Sequence, residues 1–452
     1  MNRTAFSQVT RNSSAVPAVM KISDTSHTIV LFIGLLFAAS ICLAQYDELK
    51  SSEPKQRRKA AEQIGKTGNQ DSIPHLAQLL DDPVAEVRSE AVAAIISIGT
   101  QHSLAPLAKA SRDAMPNIQM MAVDGMVNFY HPGYVERGWV ANLKSVGASV
   151  KDRFRKPSPI VIEPHLQPSS EVVEAVSRVI EGGTSMDSRA EAARAAGILR
   201  ARGALPQLQE ALKSKNSSLI IESVRAIEKI GDTSAGPSLL FLLRDLDRDV
   251  QLAVIEAVGQ LRVQEAAADL LMLVKTSPHK AVRRQALIAA AKVPAPDHRD
   301  TFGIYLHERD AQLRAAASEG IGRLGDANDQ KAIRDAFAAE KNESARLSMA
   351  FAAVHLGDTS MLSYLLDGLN SSFHRGEARP FLMELARKPE IRSRLYAPLM
   401  SGTKDQRREL ATVLGYAGDG ETMTYLEKLS HDSDNDVAQS AIQAMRSLNA
   451  RL

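Results

Sequence analysis

Asp82-Pro83-Val84-Ala85-Glu86-Val87-Arg88-Ser89-Glu90-Ala91, running on to Gly99, is the stretch that decides the fold. Its apolar residues Val87, Val92, Ile95 and Ile98 recur at a helical period and not at the alternation of a strand. The same columns return as Leu219, Val224, Ile227 and Ile230, as Val250, Ile255, Val258 and Leu261, and as Leu313, Ile321 and Leu324. Gly99 has counterparts at Gly68, Tyr130, Arg200, Gly231, Arg262, Pro294, Gly325, Gly357, Lys388, Gly418 and Asn449, evenly spaced apart from one long gap. A regular step of that size, a few tens of residues, marks a repeat architecture.

Four of the markers read Gly-Asp: Gly231-Asp232, Gly325-Asp326, Gly357-Asp358 and Gly418-Asp419. Glycine accepts the left-handed conformation that closes a helix, and aspartate caps the free N–H groups that open the next. Each marker is therefore predicted to be a corner, followed by a second apolar helix such as Ile73 through Leu80 or Leu239 through Leu243. Hydrophobic residues make up 44% of the chain and aromatics 4%, which suits closely packed helices with small contact residues. The expected fold is all-α: one right-handed α-α superhelix of about twelve helical pairs over residues 46–452, stabilised by nearest-neighbour stacking.

Asp82 through Ala91 also resembles the opening of a HEAT repeat, in the short form of bilin-lyase-type HEAT proteins, and the similarity covers residues 52–130 and 183–452. At a fixed place ahead of the marker, arginine recurs as Arg57, Arg88, Arg189, Arg283, Arg314, Arg346 and Arg407. In that family such arginines form a ladder with acidic residues of neighbouring repeats, and the resemblance implies this structural role here; gripping an acidic partner is the alternative. Residues 371–399 depart from the pattern, with Gly376, Glu377 and Pro380 in the helix columns, so a shifted or kinked first helix is expected there.

The gap from Tyr130 to Arg200 is slightly longer than two ordinary steps, read as one extra repeat with a short surplus. It divides the chain into repeats at 46–130, an insertion at 131–168 and repeats at 169–452. The insertion holds Pro132, Pro157, Pro159, Pro164 and Pro168, with Ile160-Val161-Ile162 as a short extended piece. Phe129, Tyr130, Tyr134, Trp139 and Phe154 gather a quarter of the chain's aromatics, and Lys151, Arg153, Arg155 and Lys156 form a basic run beside them. Aromatic residues with arginine are enriched at interfaces, so this cluster is the candidate partner-binding site; rings that plug a break in the stack are the alternative.

Ile29 to Ala44 is an uncharged apolar run, short for a spanning helix, ahead of Gln45-Tyr46-Asp47-Glu48. Cys42-Leu43-Ala44 fits the cleavage pattern of a signal peptide, Lys21 gives the positive flank, and Met20 is a plausible start. Residues 1–44 are thus expected to be an export leader, with an uncleaved membrane anchor as the alternative. Removing them takes away Arg3, Arg11, Lys21 and Asp24 and leaves basic and acidic residues in equal number. A neutral chain has no global attraction for nucleic acid. The lone Cys42 goes with the leader, so neither disulfide nor thiol chemistry is expected.

Chemical motifs are sparse. The histidines stand singly without metal-ligand spacing, and His131 and His165 merely share the insertion. Asp432-Ser433-Asp434-Asn435-Asp436 resembles the start of a calcium loop, but Val437 and Gln443 replace the Gly and Glu such a loop requires, which points to helix capping. Deoxyhypusine hydroxylase-like HEAT enzymes carry repeated His-Glu pairs, and here only His307-Glu308 occurs. The expectation is an exported, bacterial-type HEAT protein without catalysis, cofactor or metal, scaffolding a protein or peptide partner in the envelope or outside the cell. A HEAT-type lyase or hydrolase with the insertion as a lid and a membrane-tethered spacer are the alternatives.

Overall fold

The structure is a computed structural model that describes residues 46–135, 158–163 and 166–452. Twelve helices, each ending within four residues of one of the twelve markers, form its first row: α1 (Pro54–Thr67), α2 (Ala85–Ile98), α3 (Pro116–Tyr130) and α4 (Met186–Ile198). They continue as α5 (Ser217–Ile230), α6 (Arg248–Gln260), α7 (Lys280–Ala290) and α8 (Ala311–Leu324). The row ends with α9 (Glu343–His355), α10 (Arg375–Leu385), α11 (Lys404–Ala417) and α12 (Asn435–Asn449). Between consecutive members lies a second-row helix, such as Leu104–Ala110, Leu205–Ala211 or the 3-10 helix Thr233–Arg244. This is an all-helical solenoid of about twelve pairs.

The corners form for the reasons legible in the residues. Gly231 closes α5 at φ 71°, and its neighbour Asp232 accepts a hydrogen bond from Ser234 N–H to start the next helix. Asp326, Asp358 and Asp419 cap in the same way. Gly418 departs from the expectation: its backbone is extended, and its small size matters because a Cβ there would lie 2.4 Å from the Leu414 oxygen. Arg200 and Arg262 take the left-handed corner without being glycine, at φ 49° and 55°.

Every first-row helix touches the next along the row, whereas neighbouring second-row helices make sparse contact. We call the closer-packed first row the inner face. Several of its close approaches set glycine against alanine backbone: a Cβ on Gly65 would lie 2.7 Å from Ala94 Cα, on Gly197 2.8 Å from Ala226 Cα, and on Gly322 2.6 Å from Ala352 Cα. Gly259 with Ala289 and Gly415 with Ala444 repeat the arrangement. These pairs fall within α1/α2, α4/α5, α6/α7, α8/α9 and α11/α12. The second row supplies bulky core residues such as Leu208, Leu239, Leu270 and Phe302. The apolar core divides at α9 into two clusters, one below it and one above.

The stack is unbroken across the insertion. Helices α3 and α4 pack directly on each other, and Ser170–Gly182 is the second-row helix between them. Among the described residues the long gap between their markers holds one ordinary repeat, and no further repeat stands between α3 and α4. Spacing alone could not separate these cases, because the gap is close to two periods. In the irregular repeat, α10 accommodates Pro380 within an 11-residue helix. Among the described residues no helix is long and apolar enough to cross a membrane. The Ile29–Ala44 run lies outside the described residues.

Candidate partner-binding faces

Four of the seven ladder arginines, Arg57, Arg88, Arg314 and Arg407, pair with an acidic residue at the turn into the next repeat, and the other three do not. Arg57 donates from Nε and Nη2 to the two Asp82 carboxylate oxygens at 2.6 and 2.9 Å, and Arg88 does the same to Asp113 at 2.6 and 3.0 Å. Arg314 grips Glu340 at 2.6 and 2.8 Å, and Arg407 pairs with Asp432. Arg189 and Arg283 donate instead to the backbone oxygens of Ile180 and Ser277. Arg346 stacks over Phe337 and Tyr364, 4.6 and 4.9 Å from the ring centroids. The hydrogen bonds from Arg314 hold the Glu340 carboxyl at about 2. Arg314→Ala leaves that carboxylate nearly buried without its fork, and should cost about 1–2 kcal/mol in chemical denaturation. No loss at neutral pH would show that the pair contributes nothing. The Asp432–Asp436 run is a capping turn: Asp434 accepts from the Asp436 and Val437 N–H groups and Asp432 receives Arg407.

The two ends of the insertion are tied to the first row. Tyr134 donates its hydroxyl hydrogen bond to Glu191 on α4 at 3.1 Å. Tyr130 meets Phe129 edge-on and its oxygen accepts from Ser169 N–H at 2.9 Å. Residues 158–163 lie against the ends of α5 and α4: Lys229 donates to the Ile160 oxygen at 3.1 Å and Ile162 N–H to the Ile198 oxygen at 2.9 Å, with the Ile162 side chain buried. The rest of the expected cluster, Trp139, Lys151, Arg153, Phe154, Arg155 and Lys156, lies outside the described residues, as does His165.

Beside this strap the inner face carries a charge network. Arg194 on α4 reaches both oxygens of Glu222 on α5 at 3.0 and 3.2 Å, and Arg225 adds a third bond at 2.7 Å. Farther along, Glu384 on α10 accepts from Arg323 at the end of α8 at 2.9 and 3.1 Å and from Arg262, just after α6, at 2.7 Å. Arg262 and Glu384 are 122 residues apart. A solenoid repeat ordinarily contacts only its neighbours, so the coil is tight enough here for the row to meet itself. Burial pushes the Glu384 carboxyl up, but the hydrogen bonds and charges of the two arginines outweigh it and hold it at about 2.

A groove of about 820 Å³ runs over α5, α6 and α7 on this same side. Ile221, Leu252 and Ala253 form its apolar floor, Arg225, Lys280 and Arg284 supply cations, and Asp249 and Glu256 supply anions. Burial, and next the neighbouring Glu256 carboxylate, pushes the Glu228 carboxyl up to about 7. Burial likewise pushes the Lys292 ammonium down. A carboxyl raised in the folded state favours folding below its unfolded value of 4.5 and loses that contribution as pH rises through 7. Glu228→Gln should therefore raise the melting temperature at pH 8 by a few degrees and change it little at pH 4. An equal shift at both pH values would rule out titration of Glu228 as the cause.

Aromatic and basic composition draws attention to the insertion and leaves the inner network unnoticed. A signal for the network existed: charged residues return at repeat spacing as Arg194, Arg225 and Glu256, and again as Lys229, Lys292, Arg323 and His355. Among the described residues no three His, Cys, Asp or Glu side chains come together as metal ligands.

Residues 46–127 match the HEAT repeat family. No curated protein matches the chain. Similar solved structures include the complex of CpcE and CpcF of phycocyanin lyase from a Nostoc species, at 17% identity over 57% of this chain and 92% of that one, TM-score 0.33. An engineered protein is similar at 19% identity over 90% and 98% of the two chains, TM-score 0.28. Kap121p bound to Ste12p is similar at 12% identity over 91% of this chain and 57% of that one, TM-score 0.44.

Proposed function

We propose that this HEAT-repeat solenoid is a non-catalytic scaffold that holds a protein partner on its inner face, acting in the bacterial envelope or outside the cell. The groove over α5–α7 carries the reading. Its apolar floor is open, and Lys280 and Glu256 on its rims make no hydrogen bond or ion pair among the described residues. Such a site offers buried apolar area for affinity and two opposite charges for orientation. The insertion is the second element of the reading: its described ends are tied at Tyr134–Glu191 and Lys229–Ile160, on α4 and on α5, one of the helices that line the groove.

The test is affinity capture with the full chain from an envelope fraction, beside Leu252→Glu and Ala253→Arg variants of the groove floor. The reading expects one specific partner, lost with either variant while the helical circular dichroism is unchanged. Capture unaffected by both variants would remove the groove from the reading, and no partner under several conditions would remove the scaffold. Mass spectrometry of the native N-terminus addresses export: a start at Gln45 supports release, and an intact Ile29–Ala44 segment supports the tethered alternative.

A further inference from the structure

The second row carries a feature on the opposite side of the molecule from the groove and independent of it. Leu239, Leu270 and Phe302 are the buried anchors of three consecutive second-row helices, and Leu107, Leu208, Ile333, Leu365 and Leu426 hold the matching place in others. Two residues beyond the anchor the chain faces solvent. In those other helices Lys109, Glu210, Asp335, Asp367 and Lys428 stand there, all exposed and all charged. In the three consecutive helices the same place is apolar instead: Phe241 is 56% exposed, Met272 39% and Ile304 69%. Single exposed apolar residues are ordinary, but three aligned in neighbouring repeats, where these other repeats carry charge, form a patch.

A second row of residues runs alongside. Three positions after each apolar side chain come Arg244, Lys275 and His307, all exposed. That spacing places Arg244 and Lys275 on the same helix face as Phe241 and Met272, and His307 stands in the turn just after Arg299–Tyr305. Lys275 makes no hydrogen bond or ion pair among the described residues, and Arg244 spends one donor on Asp269 at 2.9 Å. Three residues before Met272 stands Asp269, the partner of Arg244, and four before Ile304 stands the exposed Asp300.

We propose that the outer face of Thr233–Arg244, Ala267–Thr276 and Arg299–Tyr305 docks an amphipathic α-helix of a partner protein, with the acidic edge of that helix over Arg244, Lys275 and His307. Stacked helices lie about 10 Å apart, and each heptad of an α-helix rises about 10.5 Å. A helix laid across the three repeats thus meets Phe241, Met272 and Ile304 with apolar residues at i, i+7 and i+14. The exposed Asp300 carboxylate disfavours an anionic lipid surface, and it turns the acidic edge of the docked helix toward Lys275 and His307.

Fluorescence anisotropy with the full chain tests this, using three labelled synthetic helical peptides, each three heptads long. One has leucine at the heptad spacing with a glutamate edge, one replaces that edge with lysine, and one replaces leucine with glutamine. The first should bind, the second about tenfold more weakly, and the third not at all; the triple variant Phe241→Ser, Met272→Ser, Ile304→Ser should weaken the first about tenfold with unchanged melting. The proposal is overturned if the first peptide does not bind or the triple variant binds it equally well. It is also overturned if the patch instead mediates sedimentation with vesicles of equal phosphatidylglycerol and phosphatidylcholine, or if the triple variant turns a dimer into a monomer in analytical ultracentrifugation.

Discussion

Replacing Glu384 with alanine is expected to cost about 3 kcal/mol and to let the superhelix uncoil between α6 and α10. The carboxylate receives both Arg323 and Arg262. Arg323 is nearly buried, and it keeps Glu319 at 3.0 Å and the Ala291 oxygen at 2.9 Å when Glu384 is lost. Those two partners hold the penalty to the lower end of the range for a broken buried ion pair. Arg262 is half exposed and loses little by itself, but its bond is the one that reaches across 122 residues. Small-angle scattering should therefore show a larger radius of gyration, and combining Arg262→Ala with Glu384→Ala should cost less than the sum of the two. The pH dependence has a definite sign. A carboxyl held at about 2 contributes fully above its unfolded value of 4.5 and is lost as pH falls from there toward 2, so the coil should stay closed at neutral pH and open in acid. A variant with unchanged scattering would show that the pair follows the coil and does not hold it.

Gly322→Val should cost about 3 kcal/mol by overpacking, for a reason unrelated to glycine's backbone freedom. The added Cβ would stand 2.6 Å from Ala352 Cα, a backbone atom that moves only if α8 and α9 separate. Because stability in a stacked array is a sum over neighbouring contacts, the damage should stay local. Hydrogen exchange should accelerate in α8 and α9 and remain unchanged in α1 and α2. Gly303→Ala is the control, since nothing lies within 4 Å of the added carbon and alanine is the better helix former. Equal protection of α8 and α9 in Gly322→Val and the natural chain would contradict the packing argument.

These two sites differ in how far the sequence exposed them. The helical period of Val87, Val92, Ile95 and Ile98 and the Gly-Asp corners are local signals, so the repeat register and the helix rows were legible from residues alone. The role of Gly322 was obscured because a glycine inside a helix carries no sign of what it touches one repeat away. Arg262 was legible as a corner marker, but its pairing with Glu384 depends on the pitch of the coil, which accumulates from small rotations at each joint. Prolines and aromatics draw the eye to the insertion, yet its length mimics a hidden repeat, since composition does not reveal that α3 and α4 touch. Phe241, Met272 and Ile304 show the same limit: each is ordinary until the fold sets them in line.

The glycine–alanine contacts have a mechanical consequence. They fall in five of the eleven first-row joints, and no two of those joints are adjacent. Under tension applied to its two ends, the chain should lengthen first at the joints that lack them, while the locked doublets turn as rigid links. The molecule would then behave as a short spring whose compliance is concentrated at a few positions. A load would change the curvature offered to a partner before it unfolded any helix.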